Sequence, residues 1–120
     1  MDMTEKEIKR LYFENILWVL FAGLAFLNIY GDYDEISFLK NHDVNTKKEA
    51  NKIFEITLTL TFFIYIYFFT RNYNQLKNAS MEQKRLYTIK LAGSTFLIIG
   101  IICLIYFQKK QSSFIGSPAL

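Results

Sequence analysis

Three blocks without a single charged residue constrain the fold of this chain more than any other feature. They cover residues 15–31, 56–70 and 91–108, and nearly all of the charged side chains lie between them. As helices the blocks would be about 22–27 Å long, slightly shorter than the ~30 Å hydrocarbon core of a bilayer. The centres of the first and third blocks show none of the polar face that a soluble amphipathic helix has. The sequence therefore predicts an all-α integral membrane protein, a bundle of three transmembrane helices.

We place the spans at about 12–30, 53–70 and 91–108, in a single membrane domain that covers residues 1–120. Three Ser/Thr-x-x-Glu/Gln sequences are typical of capping boxes and predict helix starts at Thr4, Thr46 and Ser80. The helices should therefore extend beyond the bilayer. The predicted connections are 31–45 and 77–80. The tail, 111–120, contains Gly116 and Pro118, and we expect it to be flexible.

The second block also has features of a β-strand. Threonine alternates with leucine over 57–61, and isoleucine alternates with tyrosine over 64–67, which is the period-two pattern of a strand. A lone strand in a bilayer would leave its backbone groups unpaired, and a closed barrel needs more strands than this chain holds. These costs favour a helix.

The distribution of lysine and arginine predicts the orientation. Three of these residues lie before the first span and five in the second connection, against four in the first connection and two in the tail. Positive charge accumulates on the cytoplasmic side, so we predict an inside N-terminus and an outside C-terminus. Lysine outnumbers arginine 11 to 3, a hint of an AT-rich bacterial genome. The predicted location is the cell membrane, most simply a bacterial cytoplasmic membrane.

The composition excludes most kinds of catalytic and metal-binding site. Cys103 and His42 are the single cysteine and histidine, which excludes an intramolecular disulfide and any multi-cysteine zinc or iron–sulfur site. Cys103 lies mid-block and is expected to be an inert, buried packing residue. With no convergent titratable groups and no phosphate loop, we expect no enzyme activity, catalytic residue, cofactor or metal. The net charge of +3 is too small to indicate a nucleic-acid partner.

Polar residues at membrane level remain as candidates. A carboxylate such as Glu55 costs about 2.5–3.5 kcal/mol or more at the bilayer centre, so it should lie near an interface or against protein. Glu14 is expected at the depth of Arg71 and Lys90, where an ion pair can form. Such groups serve either as interhelical pairs and anchors or as ion-binding and gating groups. The candidate polar or pairing residues are Glu14, Asn28, Glu55, Thr57, Thr61, Arg71 and Lys90.

Small residues let helix backbones approach closely in lipid and mark candidate packing positions. These candidates are Ala22, Gly23, Ala92, Gly93 and Gly100. Two functions remain open for a bundle with almost no soluble domain. The first is a homo-oligomeric assembly in the bilayer that forms a pore, with Glu55, Thr57, Thr59 and Thr61 available to line it. The second is an accessory, stabilising or immunity-type subunit that docks on a larger membrane protein.

Overall fold

The computed structural model describes residues 3–118 and has three helices there: α1 (Met3–Asn41), α2 (Val44–Lys77) and α3 (Lys84–Lys110). No strand occurs within 3–118, so the helical interpretation of the second block is confirmed. Each helix is long and apolar enough to cross a membrane. At ~1.5 Å per residue the helices measure about 58, 51 and 40 Å, so each exceeds the ~30 Å hydrocarbon core.

The first connection is much shorter than predicted. The expected loop over 31–45 is wrong, because α1 continues as a helix to Asn41. Gly31 does not end α1; it is buried and faces the ring of Phe54 on α2. Glu35, one turn later, is also buried against α2. These contacts keep the segment helical until His42, whose positive φ of 56° ends α1 in a left-handed conformation.

Two of the predicted helix starts are also wrong. The Asp43 side chain accepts a hydrogen bond from the Asn45 backbone N–H at 3.0 Å and caps α2 three residues before Thr46. The Thr46 hydroxyl instead donates to the Asp43 carbonyl oxygen at 2.8 Å. Ser80 forms a turn, in which its carbonyl oxygen accepts from the Lys84 N–H at 3.0 Å, and α3 begins only at Lys84.

The three helices form a flat layer with α2 in the middle. Both α1 and α3 pack on α2, and within residues 3–118 they do not pack on each other. The Cα trace measures 59 × 26 × 14 Å. The start of α1, the end of α2 and the start of α3 lie together, and we call this the first end of the bundle. The second end holds the connection 42–43 and the end of α3.

The buried residues of the outer helices follow a heptad pattern, in which Glu14 and Glu35 lie 21 residues apart, Leu24 and Gly31 lie seven apart, and the three on α3 lie seven apart. Seven-residue spacing is typical of helices that pack in a left-handed supercoil. About half of these positions are polar, so the outer helices turn polar side chains inward and leave apolar ones outside. The buried residues are Glu14, Leu24, Gly31 and Glu35 on α1, and Ser94, Ile101 and Gln108 on α3.

The chain after α3 turns back over the second end. The Asn51 amide donates to the Ser112 carbonyl oxygen at 3.0 Å, and the Lys47 ammonium donates to the carbonyl oxygen of Phe114. Residues 111–118 therefore contact α2 rather than extend away from it. The flexibility of 111–120 stays a prediction, and residues 119–120, like 1–2, lie outside the described part of the chain.

Candidate functional site

A connected set of polar side chains crosses all three helices near the first end. The Glu14 carboxylate of α1 accepts from Arg71 Nη1 at 3.0 Å and from the Tyr67 hydroxyl at 3.1 Å, both on α2. Arg71 also donates from Nε and Nη2 to Asn72 Oδ1, at 3.2 and 2.9 Å. Asn72 Nδ2 then donates to Ser94 Oγ on α3. We call these five residues the polar network.

Burial makes this network important for stability. The side chain of Glu14 is 6% exposed and that of Arg71 is 20% exposed, so little water reaches the pair. A buried charge without a partner is strongly destabilising, whereas here each carboxylate oxygen has a donor. The Arg71 guanidinium also lies 4.8 Å from the centre of the Phe68 ring, a cation–π contact. The network therefore links α1 to α3 through α2.

A smaller polar contact joins α1 and α2 halfway along the layer. The Thr57 hydroxyl lies 2.9 Å from Asn28 Oδ1 and 3.1 Å from the Phe54 carbonyl oxygen. The Thr61 hydroxyl donates to the Thr57 carbonyl oxygen at 2.7 Å. Both threonines are buried. Their hydroxyls are therefore satisfied by hydrogen bonds inside the layer.

At the second end, Lys47 joins α1, α2 and the tail. Its ammonium is 2.7 Å from the carboxylate of Glu35, and both side chains are buried. The neighbouring Asp34 has a different environment. Burial, and then the negative charge of Glu49 on α2, raise the pKa of the Asp34 carboxyl above its ordinary value. The second end thus holds one buried ion pair, in which Glu35 Oε2 has no hydrogen-bond partner within residues 3–118, and one carboxyl that is destabilised in its charged form.

The structure brings together some of the predicted polar residues and separates others. Glu14 and Arg71 form the ion pair of the polar network. Lys90 lies at the same end, but its ammonium donates to the side-chain oxygen of Gln75 at 2.7 Å and, within residues 3–118, pairs with no carboxylate. Within residues 3–118 the Glu55 carboxylate has no hydrogen bond or ion pair, and it lies half-buried near Lys109 in a shallow depression.

Residues 55–61 do not share one face of α2. Thr57 and Thr61 are buried, whereas Thr59 is exposed and lies with Glu55 beside the depression. Positions two apart on a helix point about 200° apart, because each residue turns the helix by ~100°. The four residues expected to line one pore therefore divide into an inward pair and an outward pair.

All five predicted packing residues are exposed in the single chain. They are Ala22, Gly23, Ala92, Gly93 and Gly100. Among the residues that the structure describes, a Cβ added at any of the three glycines of this set would meet no atom of another part of the chain within 4 Å. The close approach instead occurs at Gly31, where an added Cβ would lie 2.7 Å from Phe54 Cε1. Cys103 is also exposed, which corrects the expectation that it is buried.

Two adjoining cavities open beside the polar network, and Arg71 lines both. The first, of about 560 Å³, is polar and lies at the first end, with Arg10, Tyr67 and Gln75 in its wall. The second, of about 380 Å³, lies between α1 and α3 over the face of α2. Its wall is mainly apolar and includes Trp18, Phe68 and Leu97, together with Phe21, Ile64, Tyr65, Asn72 and Ser94. We call the two together the interhelical groove.

Within residues 3–118 no group of three or more histidine, cysteine, aspartate or glutamate side chains is placed to hold a metal ion. Comparisons with known protein families, with curated proteins and with solved structures found no match to this chain.

Sequence reasoning missed several residues of the polar contacts, including Glu35, Lys47, Tyr67, Asn72 and Ser94. The spacing of polar residues along α1 and α3 could have indicated some of them. Glu14, Asn28 and Glu35 lie 14 and 7 residues apart, and Ser94 and Gln108 lie 14 apart. A polar residue that recurs at heptad spacing within an apolar helix indicates a buried interhelical seam.

Proposed function

We propose that this chain is a small, non-enzymatic polytopic membrane protein that acts through helix–helix assembly in the bilayer. The observation that carries the proposal is the outward position of its small residues. Gly23, Gly93 and Gly100 have open space around them in the single chain. Glycines that no helix of the same chain contacts leave room for helices of another molecule.

A docking role on a larger membrane protein is favoured by the inward direction of the polar groups. Glu14, Arg71, Asn72, Thr57 and Thr61 bond to one another or to the backbone inside the layer. A water-filled pore needs polar side chains on the surface that faces its axis. The outer faces of this layer are mainly apolar. This pattern supports an accessory, stabilising or immunity-type subunit.

A homo-oligomeric pore is the second candidate, and Glu55 is the observation that favours it. This carboxylate and the Thr59 hydroxyl lie on the outward surface of α2, near Lys109. A ring of such carboxylates from several copies would select cations. Glu55→Gln should then change ion selectivity in a planar bilayer. Unchanged conductance and unchanged oligomer size would remove Glu55 from any pore.

Size determination of the full chain in lipid nanodiscs tests the proposal. Gly93→Leu and Gly100→Leu fill the open positions, and we expect them to reduce self-association or capture of the partner without unfolding the chain. Ile99→Leu, which changes an exposed residue of α3 at nearly constant volume, is the matched control. A chain that stays a monomer in lipid and in native membranes, with no effect of the glycine substitutions in either, would contradict assembly.

The predicted orientation belongs to the same proposal, with the N-terminus on the cytoplasmic side of the cell membrane. After Cys103→Ser, a cysteine placed at Asp43 should be labelled by an impermeant maleimide from outside. A cysteine placed at Ala79 should be labelled only after permeabilisation. The reverse pattern would invert the topology.

A further inference from the structure

We propose that the interhelical groove is a binding site for one membrane phospholipid with an anionic headgroup. The headgroup would lie in the polar cavity at the first end, and one acyl chain would lie between α1 and α3. This inference goes beyond assembly and does not depend on the identity of any partner. The groove has a polar wall at the first end and a mainly apolar wall between α1 and α3.

The apolar part of the groove has the shape and lining that an acyl chain requires. Because α1 and α3 both pack on α2 but not on each other, a furrow remains over the face of α2. Trp18 and Leu97 form its two sides, and Phe68 lies on the central helix. Its volume of about 380 Å³ is open along one side. In a bilayer such a furrow is filled by lipid chains or by another helix.

The polar part supplies the charge complementarity that favours an anionic lipid. Arg10 and Arg71 line this cavity, and Lys90 bonds to Gln75 in its wall. The two arginines are balanced by two carboxylates, because Arg10 pairs with Glu7 at 2.8 Å and lies 3.8 Å from Glu14, which also pairs with Arg71. Lys90 lies just outside the wall, and within residues 3–118 it pairs with no carboxylate, so its positive charge is left over beside the cavity. Basic pockets between transmembrane helices are typical sites for anionic headgroups.

The fluorescence of one residue can show whether an acyl chain occupies the groove. Trp18 is the single tryptophan, and it lies in the wall of the apolar part. The residue is 55% exposed and its ring lies 5.3 Å from the Phe68 ring, so an acyl chain bound in the furrow would contact it directly. Bromine atoms on a lipid chain quench tryptophan fluorescence on contact. Quenching of Trp18 therefore measures occupancy of this groove.

The test reconstitutes the full chain in phosphatidylcholine vesicles that contain a small, fixed fraction of one brominated lipid. We expect brominated phosphatidylglycerol to quench Trp18 more strongly than brominated phosphatidylcholine at the same mole fraction. Lys90→Gln and Arg10→Gln should each reduce the preference for the anionic lipid by about fivefold, the effect of one basic residue near an anionic headgroup. Arg85→Gln is the matched control for Lys90→Gln, since Arg85 is an exposed cation of the same helix, whereas Lys90 bonds to Gln75 in the groove wall.

A second pair of variants tests the apolar part. Leu97→Phe narrows the furrow and should reduce quenching by brominated phosphatidylglycerol. Ile99→Phe, at an equally exposed position outside the wall, should leave it unchanged. Equal quenching by both brominated lipids would overturn the proposal, because ordinary boundary lipid would explain it. Absence of quenching by either would also overturn it and assign the groove to a helix of another molecule. An equal loss of preference in Arg85→Gln would overturn it in favour of general surface charge.

Discussion

Gly31→Ala should destabilise the bundle, whereas the same substitution at Gly100 should not. Glycine costs about 1 kcal/mol more than alanine in a helix interior, so each substitution gains up to that amount from helix propensity. At Gly100 the added methyl group meets no atom within 4 Å, and the gain remains. At Gly31 the methyl group would lie 2.7 and 2.9 Å from two ring atoms of Phe54.

The ring of Phe54 is completely buried, so it cannot turn out toward solvent. Relief of the clash therefore requires the ring to repack inside the layer or α1 to shift away from α2. Overpacking of this kind costs typically about 1–3 kcal/mol. With two ring contacts this short, the upper half of that range applies. After the propensity gain is subtracted, we expect the free energy of unfolding to fall by about 1–2 kcal/mol.

Reversible unfolding of the full chain in mixed micelles measures this difference. The fluorescence of Trp18 reports the contact between α1 and α2, because its ring lies 5.3 Å from that of Phe68. Phe54→Leu removes the ring atoms that clash, so Gly31→Ala with Phe54→Leu should cost less than the sum of the two single changes. If Gly31→Ala proves as stable as Gly100→Ala, the close approach of α1 and α2 at Gly31 is refuted.

Three further predictions concern charged groups. Glu14→Gln and Arg71→Gln should each cost roughly 3 kcal/mol by removing one partner of a buried ion pair, and the double variant should cost less than their sum; strict additivity in the same unfolding assay would contradict the pair. Since the pKa of Asp34 is raised on folding, its charge costs stability at neutral pH, and this cost disappears as the pH falls below the ordinary value of 3.8. Asp34→Asn should therefore raise the melting temperature at pH 7 but not below pH 3.8, and an equal gain at both pH values would be inconsistent with this reasoning. Lys47→Gln removes the contact with the tail, so protease should cleave within 111–118 faster than in the parent chain, and an unchanged cleavage rate would argue against that contact.

The sequence predicts the three helices correctly because the physical requirement is simple. A bilayer forces each long apolar segment to satisfy its own backbone, and only a helix does so within one segment. This requirement outweighs the strand-like alternation over 57–61. The end of α1 could not be found in the same way. Residues 32–41 carry charges and follow a glycine, and only their burial against α2, through Glu35 and Lys47, shows why they stay helical.

The polar contacts were only partly predictable, since depth and direction are separate properties of a side chain. Counting residues from the span ends correctly placed Glu14 and Arg71 at one depth. Depth alone also placed Lys90 there, but this residue contacts Gln75 instead. Direction requires the helical phase, and phase separates Thr57, which faces Asn28, from its near neighbour Glu55 on the outward surface.

The inward polar residues of α2 need hydrogen-bond partners first from α1 and then from α3. Alone in lipid, α2 would expose Thr57 and Arg71 without their partners from α1, at a cost that rises with depth. The two-residue connection at 42–43 keeps α1 beside α2, so these partners are available as soon as α2 is inserted. Asn72 still needs Ser94, which arrives only with α3. The helix pair α1–α2 is therefore the smallest unit that satisfies the buried charge of Glu14, and α3 completes the network from the other side of α2. In the flat layer, α2 lies in the middle and can bond to polar side chains of both outer helices.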